Sequence, residues 1–296
     1  MTPEQILDSV IARDEIIPWE EVRLPSAGVY YKKDGKPLFP DGTVKVRAMG
    51  MYADKAMASA RLRHGFKMLD YLFRWCVRFP VPDFNSADLL HGDRMFLLYY
   101  LRGITHGNMY EFLAKCPNPE CGHQSEYAYD LNELVRTVKG PNLDIGDEPF
   151  KVSLPYLSKI TQSDFWVKVR LLRGRDVEAM LTRRNVTKIM HPKRVRPRSE
   201  AAEADDVKDM GLDETVSKNL SMVITEVMDS TDAFKIAQLV EKMHSQDTEA
   251  IRTFLDENSP GIEYQIVVTC PQCETEATLD LPITETFFRP AKRRRA

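Results

Sequence analysis

The chain has 296 residues, 43% hydrophobic and 29% charged, with a formal net charge of −3. That length suits one large domain or two smaller ones, with enough core that no metal is needed merely to rescue a tiny fold. The charge balance excludes a global electrostatic footprint for nucleic acid or an anionic membrane, and no apolar run approaches the roughly 18 residues of a membrane span.

The opening MTPEQILDSVIARDEII is acidic and lacks an unbroken apolar stretch, so it does not read as a signal peptide. The chain is therefore expected to stay in cytoplasm, where thiols remain reduced. Residues 1–20 read as an N-terminal arm in which Ile6, Val10 and Ile11 fall at helical spacing. Val29–Tyr31 and Val44–Val46 are predicted strands around the turn-rich KDGKPLFPDG. A long helix is predicted from Asp54 to Phe79, with Phe66, Leu69, Phe73 and Cys76 on one face. FPVPDFNS breaks it, and Ser86 or Asn85 is a candidate cap for the next helix. KGPNLDIGDEP reads as a loop, and the basic-then-acidic stretch at about 190–212 as a solvent-exposed, mobile insertion. Helices are predicted near 213–228 and 231–243, followed by one capped by Ser245.

The five cysteines carry the clearest chemistry. CPNPECGH places Cys116 and Cys121 in a C-x4-C pair, and CPQC places Cys270 and Cys273 in a C-x2-C pair. Each pair lies between an apolar strand and an alternating one. In a reduced compartment this distribution favours a metal over disulfides. Four thiolates are soft, tetrahedral-seeking ligands that close a coordination shell, so the expectation is a structural zinc with no open position for chemistry. His123 could enter only by displacing a thiolate. Cys76, on an apolar helix face, reads as core.

The flanks of the pairs echo one another. DRMFLLYYLRGITHGNMYEFLAKCP from Asp93 aligns without a gap on DTEAIRTFLDENSPGIEYQIVVTCP from Asp247. Asp, Leu101/Leu255, Gly107/Gly261, Tyr110/Tyr264 and Cys-Pro recur at one constant offset, with Thr105 and Ser259 matching conservatively. The shared reading is a helix, a turn with glycine at positive φ, then a strand into the knuckle. LPSAGVYY followed by TVKVRAMGMYADKA similarly echoes LPYLSKIT followed by WVKVRLLRGRDVEA. The predicted fold class is α+β, a pseudo-twofold duplicated helix plus β-hairpin body whose halves are joined by a split four-cysteine zinc ribbon. The halves fall at 21–140 and 141–290, with a basic tail at 291–296.

Other motifs are weaker. HGDR at His91–Arg94 combines acid, base and histidine, but at a helix start Asp93 is expected to favour the N-terminal dipole rather than catalysis. No nucleophile–base constellation or glycine-rich phosphate loop is visible, so no catalytic or cofactor-binding residue and no small-molecule substrate is expected. Arg170, Arg173 and Arg175 are expected on a solvated or salt-bridged face.

In order, LPSAGVYY, TVKVRAMGMYAD, LLHGDRMFLLYYLRGITHGNMYEF and CPNPEC resemble the T-even-type bacteriophage base plate protein family. The resemblance covers roughly 22–135 and recurs weakly through CPQC and ITETFFRP, whereas the insertion after Asp176 departs from it. It implies a structural or assembly component of a contractile-phage tail baseplate, in the virion or in host cytoplasm during assembly. Implied partners are the baseplate hub, tail tube or tape-measure proteins, with no membrane and no enzymatic activity. The alternative is a zinc-ribbon nucleic-acid-binding or regulatory protein, resting on the cysteines and the basic segments 193–198 and 292–295.

Overall fold

The computed structural model describes residues 2–12, 16–58, 67–180, 215–283 and 285–288. The expected 190–212 insertion and the basic tail therefore lie outside the described residues. In chain order the N-terminal elements are α1 (Pro3–Ile11), β1 (Glu20–Arg23), β2 (Lys32–Lys33), β3 (Lys36–Pro37) and β4 (Thr43–Val46). Then follow α2 (Met51–Ala58), α3 (Lys67–Cys76), β5 (Val77–Arg78), α4 (His91–His106), β6 (Met109–Lys115), β7 (Gln124–Asp130) and α5 (Asn132–Arg136). Next come β8 (Phe150–Ser153), α6 (Pro155–Thr161), β9 (Trp166–Val169), α7 (Thr215–Val223), β10 (Ile224–Val227) and α8 (Ala233–Glu241). The last are α9 (Ser245–Asn258), β11 (Gln265–Thr269), β12 (Glu276–Asp280) and α10 (Glu285–Phe288). The architecture is mixed helix and small antiparallel sheets, consistent with α+β.

Two compact units result, and neither is continuous in sequence. One comprises 1–86, 92–141 and 260–296, the other 87–91 and 142–259. This partition differs from a cut near 140: residues 260–296, with the second cysteine pair, belong to the same unit as the first pair.

The first unit is built on the sheet β1-β4-β5 and the second on β8-β9-β10, each with its Val-Lys-Val strand in the centre. Period-2 alternation places Val44, Val46, Val167 and Val169 inward, all essentially inaccessible. The registers coincide. Glu20 pairs with Val46 and Val22 with Val44; Phe150 pairs with Val169 and Val152 with Val167. On the other edge Val77 pairs with Val46, and Ile224 with Val169. Leu24 N donates to Gly42 O and Leu154 N to Phe165 O, so both Leu-Pro corners close on the residue before the central strand. Even the arginine that ends each V-K-V-R run does the same work: Arg47 Nε donates to Trp75 O at 2.9 Å, and Arg170 Nη2 to Met222 O at 2.8 Å.

Each unit also buries one aspartate under its Leu-Pro corner. Asp93 Oδ1 accepts from Ser26 N at 2.9 Å, while its Oδ2 accepts from the Ser26 and Tyr31 hydroxyls. Asp247 Oδ1 accepts from Tyr156 N at 2.8 Å, and its Oδ2 from Leu157 N. Both side chains are fully buried, and a buried carboxylate without donors would cost several kcal/mol, roughly. Asp93 lies in the first turn of α4, as expected, and also caps a corner far away in sequence.

Several local expectations change. Val29–Tyr31 is not a strand: the chain turns there, with Ala27 and Gly28 at φ 49° and 76°. A Cβ on Gly28 would lie 2.6 Å from Phe39 O, so only glycine fits. The 54–79 helix is helical at 51–58 and 67–76, with 59–66, including Phe66, outside the described residues. It stops at Cys76 because Val77 and Arg78 pair with β4. Leu69, Phe73 and Cys76 are buried as expected. The 213–228 helix likewise ends at Val223, since the β-branched Ile224–Val227 run joins β9 as an edge strand. Ser86 donates its hydroxyl to Asp70 Oδ1 instead of capping a helix. His244, not Ser245, caps α9: its Nδ1 accepts from Gln246 N. Gly107 takes φ 84°, but Gly261 has no positive φ and serves close packing instead.

Candidate metal centre

The ungapped α4–β6 and α9–β11 runs both end in a knuckle, and the two knuckle hairpins meet in the first unit. In β6–β7, Lys115 pairs with Gln124; in β11–β12, Thr269 pairs with Glu276. The hairpin ends close identically. Cys116 N donates to His123 O at 2.7 Å and Cys270 N to Thr275 O at 3.0 Å. The closing carbonyl lies two residues further along in the first knuckle, which is the whole difference between C-x4-C and C-x2-C. In each, the residue after the second cysteine is left-handed, Gly122 at φ 56° and Glu274 at φ 57°. That turn swings the second thiol back beside the first.

The four cysteine sulfurs lie within 4.8 Å of one another. Cys116 Sγ is 3.6 Å from Cys273 Sγ, and Cys121 Sγ is 3.9 Å from Cys270 Sγ. These contacts join one hairpin to the other. They are too long for a disulfide, whose S–S bond is about 2.0 Å. They match the edge of a tetrahedron of sulfurs around an ion at about 2.3 Å, roughly 3.8 Å. The residues present therefore fit a metal ion. Cys116 and Cys270 are buried and Cys121 and Cys273 half-buried, so one side of the cage is walled by protein. His123 contributes through its backbone, the carbonyl closing the hairpin and the amide bonding to the Cys121 thiol, and it is not in the cluster.

The thiols are unequal before any ion binds. The Thr275 hydroxyl, 3.2 Å away, and the Thr275 amide pull Cys273 down to about 6, whereas burial pushes Cys116 up to about 12. A bound cation would hold all four as thiolates. Thr275 was not evident as a partner from the cysteine spacing alone, although its place two residues after Cys273 is where a knuckle hydroxyl would lie. Cys76 stands apart, buried, its thiol raised to about 11 by burial despite Arg47.

The hairpins are supported from one side by aromatics. Tyr110 and Tyr99 reach the C-terminal segment, donating to Pro282 O at 2.8 Å and Leu281 O at 3.0 Å. Both rings contact Phe287 edge-on. Across the hairpins, Tyr127 Oη donates to Thr269 O.

The remaining candidates are accounted for by structure. Arg170 is paired with Asp176, Arg173 with Glu148 and Arg175 with Asp88, so the three arginines form a salt-bridged face of the second unit. The basic segments 193–198 and 292–295 lie outside the described residues. Among the described residues, no helix is long and apolar enough to cross a membrane.

An α+β body of small sheets whose most distinctive site is a fully thiol-lined cage defines a class of proteins in which a bound ion would fix shape. The chain belongs to the T4 bacteriophage base plate protein family, which matches residues 35–289. The match includes both cysteine pairs and both Val-Lys-Val strands, and it makes the chain a phage structural protein of the tail base plate. No curated protein and no solved structure matches the chain.

Proposed function

We propose that this protein is a structural or assembly component of a contractile-phage tail base plate, working by protein–protein binding at the hub. Its partners in this reading are the hub, tail tube or tape-measure proteins, in the virion or in host cytoplasm during assembly. The ion is a structural zinc held by Cys116, Cys121, Cys270 and Cys273 as a split ribbon. The observation that carries the reading is the pairing of a family match across most of the chain with a cage whose four positions are all protein thiols. Such a cage leaves no vacant site for a substrate or water. The matching sheet registers and aspartate caps support an internal duplication, with halves at 21–140 and 141–290.

Two measurements test this. Purified protein analysed for metals should carry one zinc per chain, and Cys270→Ser should lose it; a folded, metal-free protein would overturn the zinc assignment. Purified tails and their assembly intermediates should contain the chain, and its absence from both would overturn the base-plate role.

A further inference from the structure

The second unit leaves one edge of its sheet open. Leu154 N donates to Phe165 O at the end of the β8–β9 ladder, so in this antiparallel register the backbone groups of Phe150 and Val152 face β9. Those of Lys151 and Ser153 point the other way, off the free edge, and no strand among the described residues pairs with them. Helix α9 runs beside β8, and the two elements bound an open cleft of about 1000 Å³.

The aligned helix face is covered in the first unit. The ungapped alignment sets Gly92, Phe96 and Tyr99 of α4 against Gln246, Ala250 and Thr253 of α9. Pro260 and Gly261 touch Gly92, Ile262 shares a small cavity with Phe96 and Tyr99, and Tyr99 Oη donates to Leu281 O. Part of that cover is extended backbone, since Gly261 exchanges both amide hydrogen bonds with Lys139. Phe96 and Tyr99 are buried, whereas Gln246 and Thr253 are exposed on the cleft wall.

The wall of the open cleft is also acidic. Where α4 has Met95 and Gly103, α9 has Glu249 and Glu257, both exposed. Neither forms an ion pair among the described residues. Lys151, on the strand side, is tied to Asp164 at 2.9 Å, so the two glutamates are left uncompensated beside an unpaired strand edge.

We propose that this cleft takes an extended, lysine- or arginine-bearing segment of a partner protein as an added strand on β8. Its backbone pairs with Lys151 and Ser153, and every second side chain reaches towards α9, where Glu249 and Glu257 meet its cations. Strand addition is a recurring recognition mode in which main-chain bonds give affinity and the flanking wall gives specificity. The inference depends on neither the zinc nor the base-plate role.

Fluorescence anisotropy of the full chain tests it, with a short labelled peptide of alternating lysine and valine as the probe. Wild type should bind this peptide, and the same peptide with glutamate for lysine should bind about tenfold more weakly or worse. Glu249→Lys combined with Glu257→Lys reverses the charge of the wall at exposed positions. Ser153→Pro removes one outward amide without touching the β9 ladder. Each change should weaken binding about tenfold with thermal melting unchanged. Ser153→Pro alters no charge, so its loss separates strand pairing from general attraction of a cation; if it lowers the melting temperature, the charge reversal decides alone. A wild type that ignores the lysine peptide overturns the proposal, as does equal affinity for the glutamate peptide or affinity that survives the variants. A wild type that dimerises, and that Ser153→Pro makes monomeric, has a second copy on this edge and also overturns it.

Discussion

Gly92 and Gly261 meet backbone to backbone. A Cβ on Gly92 would lie 1.9 Å from Pro260 O and 2.8 Å from Gly261 Cα, and a Cβ on Gly261 would lie 2.9 Å from Gly92 Cα. Here the first turn of α4 rests directly on the segment that precedes β11. Two effects oppose each other in Gly92→Ala. Helix propensity favours alanine by about 1 kcal/mol, but the obstacle is backbone, which cannot rotate away as a side chain would. Overpacking should win, with a net loss of about 1–3 kcal/mol in denaturant unfolding. A more stable Gly92→Ala protein would show that this contact opens readily.

The aspartate caps should be costly to remove and should behave alike. Asp93→Ala strands the Ser26 amide and two hydroxyls, and Asp247→Ala strands two amides at α6. Each is expected to lose about 3 kcal/mol or more, with Asp93 the larger because it serves three donors. Urea unfolding of the two variants checks both the size and the order.

Acid should undo one link in the second unit. Burial raises the Asp176 carboxyl, but its hydrogen bonds from Arg170 and the Arg173 amide outweigh that and leave it below the usual carboxylate value. A depressed carboxylate contributes stability above its unfolded pKa and loses it as pH falls through the folded one. Wild type should therefore exceed Asp176→Asn by about 2 kcal/mol at neutral pH. The gap should shrink steadily below about pH 4. Parallel unfolding curves at several pH values measure this, and a gap that widens in acid would reverse the sign.

The five cysteines should separate cleanly by what they lose. Cys116→Ser and Cys273→Ser should each abolish stoichiometric metal and loosen both knuckle hairpins together, because the contacts join one hairpin to the other. Cys76→Ala should cost about 1 kcal/mol through packing and leave the metal in place. Metal analysis with hydrogen exchange on β6–β7 and β11–β12 distinguishes the two patterns.

What could be read from the sequence depended on how local the cause was. The cysteine pairs were legible because ligand geometry forces short spacings, and the Val-Lys-Val strands because burial imposes period 2. The capping role of Asp93 was not legible because its partners, Ser26 and Tyr31, lie 67 and 62 residues away. Nothing beside Asp93 announces them. Ile224–Val227 looked like the end of a helix because Val223, Ile224 and Val227 also fall at helical spacing, and only pairing with β9 decides it. The same holds for Gly261: glycine signalled a special backbone position, but its reason is the proximity of Gly92 rather than a positive φ.

The two knuckles differ in the length of the loop between their cysteines. The first carries two more residues between its cysteines, yet its closing hydrogen bond sits at the equivalent place, so Asn118, Pro119 and Glu120 are accommodated outside the ring of sulfurs. Asn118 folds that excess into a turn of its own, accepting from the Glu120, Cys121 and Gly122 amides. One hairpin is a bare hook and the other a hook with a handle. Asn118 holds the handle to the grip, its amide bonding to the Cys116 thiol and its carbonyl accepting from the Cys121 amide, so this clasp can vary only at the tip of its handle, at Pro119 and Glu120, while its grip stays constant.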